Sequence, residues 1–136
     1  MMYATTADLK SRLGDIYDAI YERDADAEED LADAQAETDG CIGRRYRVPV
    51  TAAESLPLLK GWVLTLCEER SYSRAAGSSY AEKVAARVAQ VRKYLEAVMR
   101  GEFTLPGAEE QNSGSGMTST VAGDPPIFTR DGMRGY

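Results

Sequence analysis

Apolar side chains recur along this chain at three- and four-residue steps, in blocks separated by glycine, proline and charged runs. "TTAD" sets Thr5 three residues before Asp8, the layout of a capping box. It predicts a short helix through Leu9 and Leu13 that stops near Gly14. "DIYDAIYERDAD" predicts a further helical turn resting on Ile16, Tyr17 and Ile20. From Ala25 to Tyr46, Leu31, Ala34, Thr38, Cys41 and Ile42 share one side of a long helix, ended by Val48-Pro49. Gly40 and Gly43 inside it either weaken the helix or mark a close approach by a neighbouring helix. Thr51 and Glu54 have the spacing of a second capping box. A turn there leads to a helix from Pro57 to Tyr72 that is apolar around most of its circumference, hence central and buried. Ser79 and Glu82 form a third box, opening a helix from Tyr80 to Arg100. Its Val84, Val88, Val91, Leu95 and Val98 step by four and three. Two heptads suit a bundle better than a free coiled coil, and Gly101 is the natural stop.

The pattern therefore predicts an all-α fold: a small four-helix bundle, the first helix short, with an extended C-terminal arm. It divides the chain into a helical domain at residues 1–101, a flexible linker at 102–126 and a docking arm at 127–136. "EFTLPG" at the start of the linker could run briefly extended. The linker's "EEQNSGSGMTSTVAGDPP" has almost nothing to pack, yet it carries the cluster "IFTRDGMRGY". About eighteen such residues span roughly 23 Å on average and about 60 Å when taut. The arm can thus reach well beyond its own domain. Ile127, Phe128, Met133 and Tyr136 can fill pockets, Arg130 and Arg134 can pair with acids, and "PIFT" can add as a strand to an exposed edge. Docking on another subunit is favoured over folding back, because the linker is longer than folding back requires.

Charge adds an asymmetry. The net charge is −6, which argues against a nucleic-acid binder, but residues 1–40 alone carry −9 and the remainder +3. The acids Asp24, Asp26, Glu28, Glu29 and Asp30 crowd the start of the long helix, where they answer its dipole. "GRRYR" groups Arg44, Arg45 and Arg47 around an aromatic. They serve either the end of the helix dipole or pairing with a neighbouring subunit's acids.

Catalytic chemistry is poorly provided for. Histidine is absent, which removes the commonest general base and metal ligand. Cys41 and Cys67 sit in apolar helical patterns and read as buried reduced thiols, with neither disulfide nor zinc spacing. "DADAEEDLADAQ" begins like a calcium loop but has Glu29 where glycine is needed and Gln35 where a bidentate glutamate is needed. No catalytic residue, metal site or cofactor is expected, and no phosphate loop is present. No run approaches a membrane span and "MMYATTADLKSRLGD" has no apolar leader core. Folding in a reducing cytoplasm is expected.

Four stretches together resemble a family of proteins from Mu-like phages and prophages. They are "MYATTADLKSRLGD", "RDADAEEDLADAQAETDGCIGRRYRVPV", "LPLLKGWVLTLCEERSY" and the closing "FTRDGMRGY". The last is similar to the family's terminal Phe-(Ser/Thr)-Arg-(Asp/Glu)-x-x-Arg-Gly-aromatic signature. The resemblance covers nearly the whole chain apart from the linker. It implies a head–tail connector, or neck adaptor, located in the virion neck and assembled in the host cytoplasm. Such proteins form a homo-oligomeric ring, typically of twelve copies, beneath the portal protein. They join it to a downstream neck, stopper or tail protein while DNA passes through without specific binding. By the same resemblance the arm docks on the portal through Phe128, Thr129, Arg130, Arg134, Gly135 and Tyr136. Ala25 and Ala27 stand where relatives often carry glycine in a "DGDG" loop, which favours an earlier helix start.

A ring needs heterologous contacts that close, and an acidic lining would let the phosphate backbone slide. Asp24, Asp26, Glu28, Glu29 and Asp30 are candidates for that lining. Two other classes compete. An antitoxin-like helical regulator would bind a soluble partner through its tail and be a stable dimer. An enzyme with a site between subunits fits least, given the missing histidine.

Overall fold

The computed structural model describes residues 2–75 and 80–111. Five helices follow in order: α1 (Thr6–Leu13), α2 (Ile16–Ile20), α3 (Asp24–Ile42), α4 (Leu56–Arg74) and α5 (Tyr80–Met99). The fold is all-α. Among the described residues the only β pairing is an isolated antiparallel bridge between Tyr46 and Glu110. The short α1 and single-turn α2 take the place of the expected short first helix.

α4 is the axis of the bundle, with α1, α3 and α5 all packed on it. Its Leu59, Trp62, Val63, Leu66 and Cys67 are buried. The α5 seam of Val84, Val88, Val91, Leu95 and Val98 is buried throughout, as its spacing predicts. α3 offers smaller contacts, Ala27, Leu31, Ala34, Thr38 and Ile42. The first capping box is present: the Asp8 N–H donates to Thr5 Oγ1 at 3.2 Å and the Thr5 N–H to Asp8 Oδ2 at 3.0 Å.

Three expectations shift. α3 starts at Asp24 but ends at Ile42, not Tyr46. The N–H groups of Arg44 and Arg45 bond carbonyls three residues back, at 3.3 and 3.0 Å, which tightens the chain into a turn. Tyr46 then leaves for the bridge with Glu110. No helix of this chain closely approaches Gly40 or Gly43: a Cβ at Gly40 would meet nothing within 4 Å, and one at Gly43 would strike the carbonyl of Asp39. Thr51 and Glu54 cap nothing, because α4 begins at Leu56 behind Ser55 and has Pro57 in its first turn. The Ser79 half of the third capping box lies outside the described residues.

Residues 102–111, the start of the expected linker, lie on the domain. Gly101 turns the chain after α5 with φ 79°, a conformation that favours glycine. Leu105 is then 1% exposed in the core cluster. Its N–H donates to Tyr46 Oη at 3.1 Å, and the Ser55 hydroxyl donates to the Pro106 carbonyl.

Candidate functional site

The chain leaves the described domain at a built exit. The Arg47 N–H donates to the Glu109 carbonyl at 2.8 Å, and the Gln111 N–H to the Arg45 carbonyl at 2.9 Å. The Gln111 side-chain amide donates to the Gly43 carbonyl, also at 2.9 Å. Two ion pairs run alongside, Arg45 with Glu110 at 3.3 Å and Arg47 with Glu109 at 3.8 Å. The post-α3 turn and the segment after α5 thus hold each other, and whatever follows Gln111 starts from a fixed point.

This changes what "GRRYR" can do. Arg45 and Arg47 are engaged within the chain, while Arg44 is exposed and makes no ion pair among the described residues. The arginines sit on the turn past the helix, so they are not the last-turn charges that a dipole argument requires. The arm residues Ile127, Phe128, Thr129, Arg130, Met133, Arg134, Gly135 and Tyr136, with the linker from 112 onwards, lie outside the described residues.

The acidic set divides. Asp24 is exposed and accepts the Tyr17 hydroxyl hydrogen at 2.7 Å; Asp26 pairs with Arg23 at 2.9 Å. Glu28 and Glu29 face solvent, with Arg74 Nη2 3.9 Å from Glu29. Asp30 differs: it is 6% exposed and points into the bundle. It accepts from Arg74 Nε at 2.6 Å, Arg74 Nη2 at 3.1 Å and the Tyr21 hydroxyl at 2.6 Å. A helical residue three after Ala27 and four before Ala34 lies on the apolar stripe, which is why Asp30 turns inward. Asp30 therefore belongs to the packing and is not available to line a channel. The calcium-like stretch that begins at Asp24 is simply the start of α3.

A second buried carboxylate is Glu68, 2% exposed. It accepts from Arg12 Nη1 at 3.0 Å and Arg87 Nη1 at 3.1 Å, tying α1 and α5 to α4. Neither this cluster nor the Tyr–Asp links was visible in the linear pattern. Glu68 stands four residues after Leu64, on the buried side of α4, which is the one signal that could have pointed to it. The thiols are quiet: burial pushes Cys67 up to about 12, and burial also raises Cys41, which is half-buried. Among the described residues no cluster of His, Cys, Asp and Glu could hold a metal ion, and no helix is long and apolar enough to cross a membrane.

What remains is a small helical domain with an anchored exit, an acidic helix start and the exposed Arg44, equipped for contacts. The chain belongs to the Bacteriophage Mu, Gp36 family, whose model matches residues 3–122. It is 32% identical over 110 residues to "Gene product J" of Escherichia phage Mu, an alignment covering 79% of this chain and 73% of that protein. Family membership makes this a protein of Mu-like phages and supports a structural or morphogenetic role.

Proposed function

We propose that this protein is a non-enzymatic head–tail connector. Copies form a ring, of twelve by its resemblance to Mu-like neck adaptors, that joins the portal to the next neck or tail protein and surrounds the DNA exit channel. The observation that carries the reading is the anchored exit. Tyr46, Ser55 and the bridge to Glu110 hold residues 102–111 on the domain, so the arm at 127–136 is tethered from a defined point. Fifteen residues separate Gln111 from Ile127. They span about 50 Å when extended, enough to reach a neighbouring protein.

In this reading Ile127, Phe128, Met133 and Tyr136 fill portal pockets while Arg130 and Arg134 pair with portal acids. Thr129 and Gly135 shape the docked backbone. Arg44 meets a carboxylate of a neighbouring copy. The exposed carboxylates Asp24, Glu28 and Glu29, with the half-buried Asp26 beside them, repel passing phosphates, which keeps DNA from sticking. The chain acts in the virion neck after assembly in the host cytoplasm.

Pull-down of portal by the intact chain and by a chain truncated after Pro126 tests the arm. Intact protein should retain portal and the truncated form should lose at least about 100-fold in affinity, the scale of two or more lost anchors. Equal retention would move the portal contact to the bundle. Retention by neither would bring the helical-regulator reading forward.

A further inference from the structure

An open groove of about 330 Å³ runs along α4 and α5, lined by residues of both helices and by Arg12 of α1, with no α3 residue in its lining. Its lining includes Trp62 stacked on Tyr94, centroids 5.8 Å apart. Arg12 and Arg87 also line it. So does the backbone of Gly61, beside Leu58.

Gly61 is unexplained within the fold. It lies in the interior of α4, where glycine is a poor helix former. Beyond its own helix turn, nothing lies within 4 Å of where its Cβ would be. No close approach inside this chain calls for glycine there, so the approach comes from outside. The groove is also charged: Arg12 and Arg87 share the single carboxylate of Glu68, leaving one positive charge uncompensated at its rim.

The chain has one surface that answers both features. The side of α3 opposite its buried stripe presents Ala32, Ala36 and Gly40 at four-residue steps, all exposed. Gly40 again has open space where a side chain would be. Asp33 flanks this face, exposed and without an ion pair among the described residues. A helix with such a face can bring its backbone close over Gly61 while its carboxylate meets Arg12 and Arg87. The two surfaces are distinct, because no α3 residue lines the groove. A contact between them is heterologous and repeats from copy to copy.

We propose that the α4–α5 groove of one copy receives the outer face of α3 of the next. This rests on the ring reading above and assigns the ring's subunit contact to Gly61, Trp62 and Arg87 on one side and Asp33, Ala36 and Gly40 on the other.

The test uses the full chain with Cys41→Ser to remove the half-buried thiol. A chain carrying both Gly61→Cys and Ala36→Cys should give a ladder of dimers, trimers and larger species on mild oxidation. Either substitution alone should give no species larger than a dimer. In parallel, Gly61→Leu fills the groove; its melting temperature should hold or rise while sedimentation shifts to monomer. If the wild type forms rings, no ladder appears and Gly61→Leu assembles normally, the contact proposed here is wrong and the ring stands on another face. A ladder without closed rings keeps the contact and sinks the ring. A wild type that stays monomeric at every concentration, with no ladder, overturns both.

Discussion

α5 and α3 are nearly the same length and both pack on α4, yet they are held by different chemistry. α5 presents four valines and a leucine, all buried, and of its outward polar residues Arg87 and Arg92 add ion pairs to Glu68, Glu37 and Glu69. α3 presents mostly small side chains to the core, and its position is set by polar links at intervals along its length. Three tyrosines each donate a hydroxyl hydrogen to one of its carboxylates: Tyr3 to Asp39, Tyr17 to Asp24 and Tyr21 to Asp30, at 2.7, 2.7 and 2.6 Å. Arg70 and Arg92 both reach Glu37. Burial of apolar area is non-directional, so the α5 seam supplies stability with little say over register. The links on α3 demand particular distances and fix how far it slides. A helix whose outer face must meet something else gains from being located in this way.

The sharpest way to break the comparison is to damage the seam first. Leu95 is fully buried in α5. Leu95→Ala should cost about 3 kcal/mol, the sum of lost transfer energy and an incompletely closed cavity. Urea denaturation at neutral pH reads this directly. A loss below about 1 kcal/mol would mean the seam collapses freely, and α5 would no longer be the strongly held helix.

Next is the strongest link on α3. Asp30→Asn keeps the shape but removes the charge that holds Arg74 and orients Tyr21. Removing one partner of a fully buried pair costs about 3–5 kcal/mol. Arg74 is 37% exposed and can recover water, so about 2 kcal/mol is expected here. The loss should shrink in high salt less than that of a surface pair such as Arg100–Glu102 would, because Asp30 is screened by protein. A neutral outcome would reduce the α3 links to decoration and leave its small apolar contacts as the whole explanation.

Helix order, the core stripes and the first cap were legible in the sequence, because each depends on spacing within one segment. The end of α3 was not. Tyr46 continues the helical pattern, and its N–H still reaches the Ile42 carbonyl at 2.9 Å, but it pairs with Glu110, sixty-four residues later. The clamp on residues 102–111 escaped for the same reason: Phe103, Leu105 and Ala108 are scattered among glycine and proline with no helical spacing, and the segment is held by Tyr46 and Ser55. Asp30 was grouped with its acidic neighbours because charge is read along the chain, whereas burial is decided around the helix. The anchored exit, the part of the candidate site nearest the proposed function, is therefore almost wholly tertiary.

The finest distinction concerns Tyr3, whose hydroxyl serves two groups at once. It donates to Asp39 and accepts from the Val50 N–H at 2.8 Å. Tyr3→Phe should cost about 1 kcal/mol at pH 7, the usual worth of such a bond. The pH dependence separates the two partners. Burial raises the pKa of Asp39, opposed by hydrogen bonds from Tyr3 and Gln35. A carboxyl raised on folding contributes stability that is full below the unfolded carboxylate range and is lost as pH rises through its folded value. Without the Tyr3 hydroxyl, Asp39 moves higher still, and keeping it ionised at pH 7 costs more. The deficit of Tyr3→Phe against wild type should therefore narrow as pH falls through the titration of Asp39. What persists at about pH 3 is the unpaired Val50 N–H. Paired urea melts at the two pH values measure this. A deficit that stays constant would assign the whole effect to Val50 and show that Tyr3 leaves the charge on α3 unaffected.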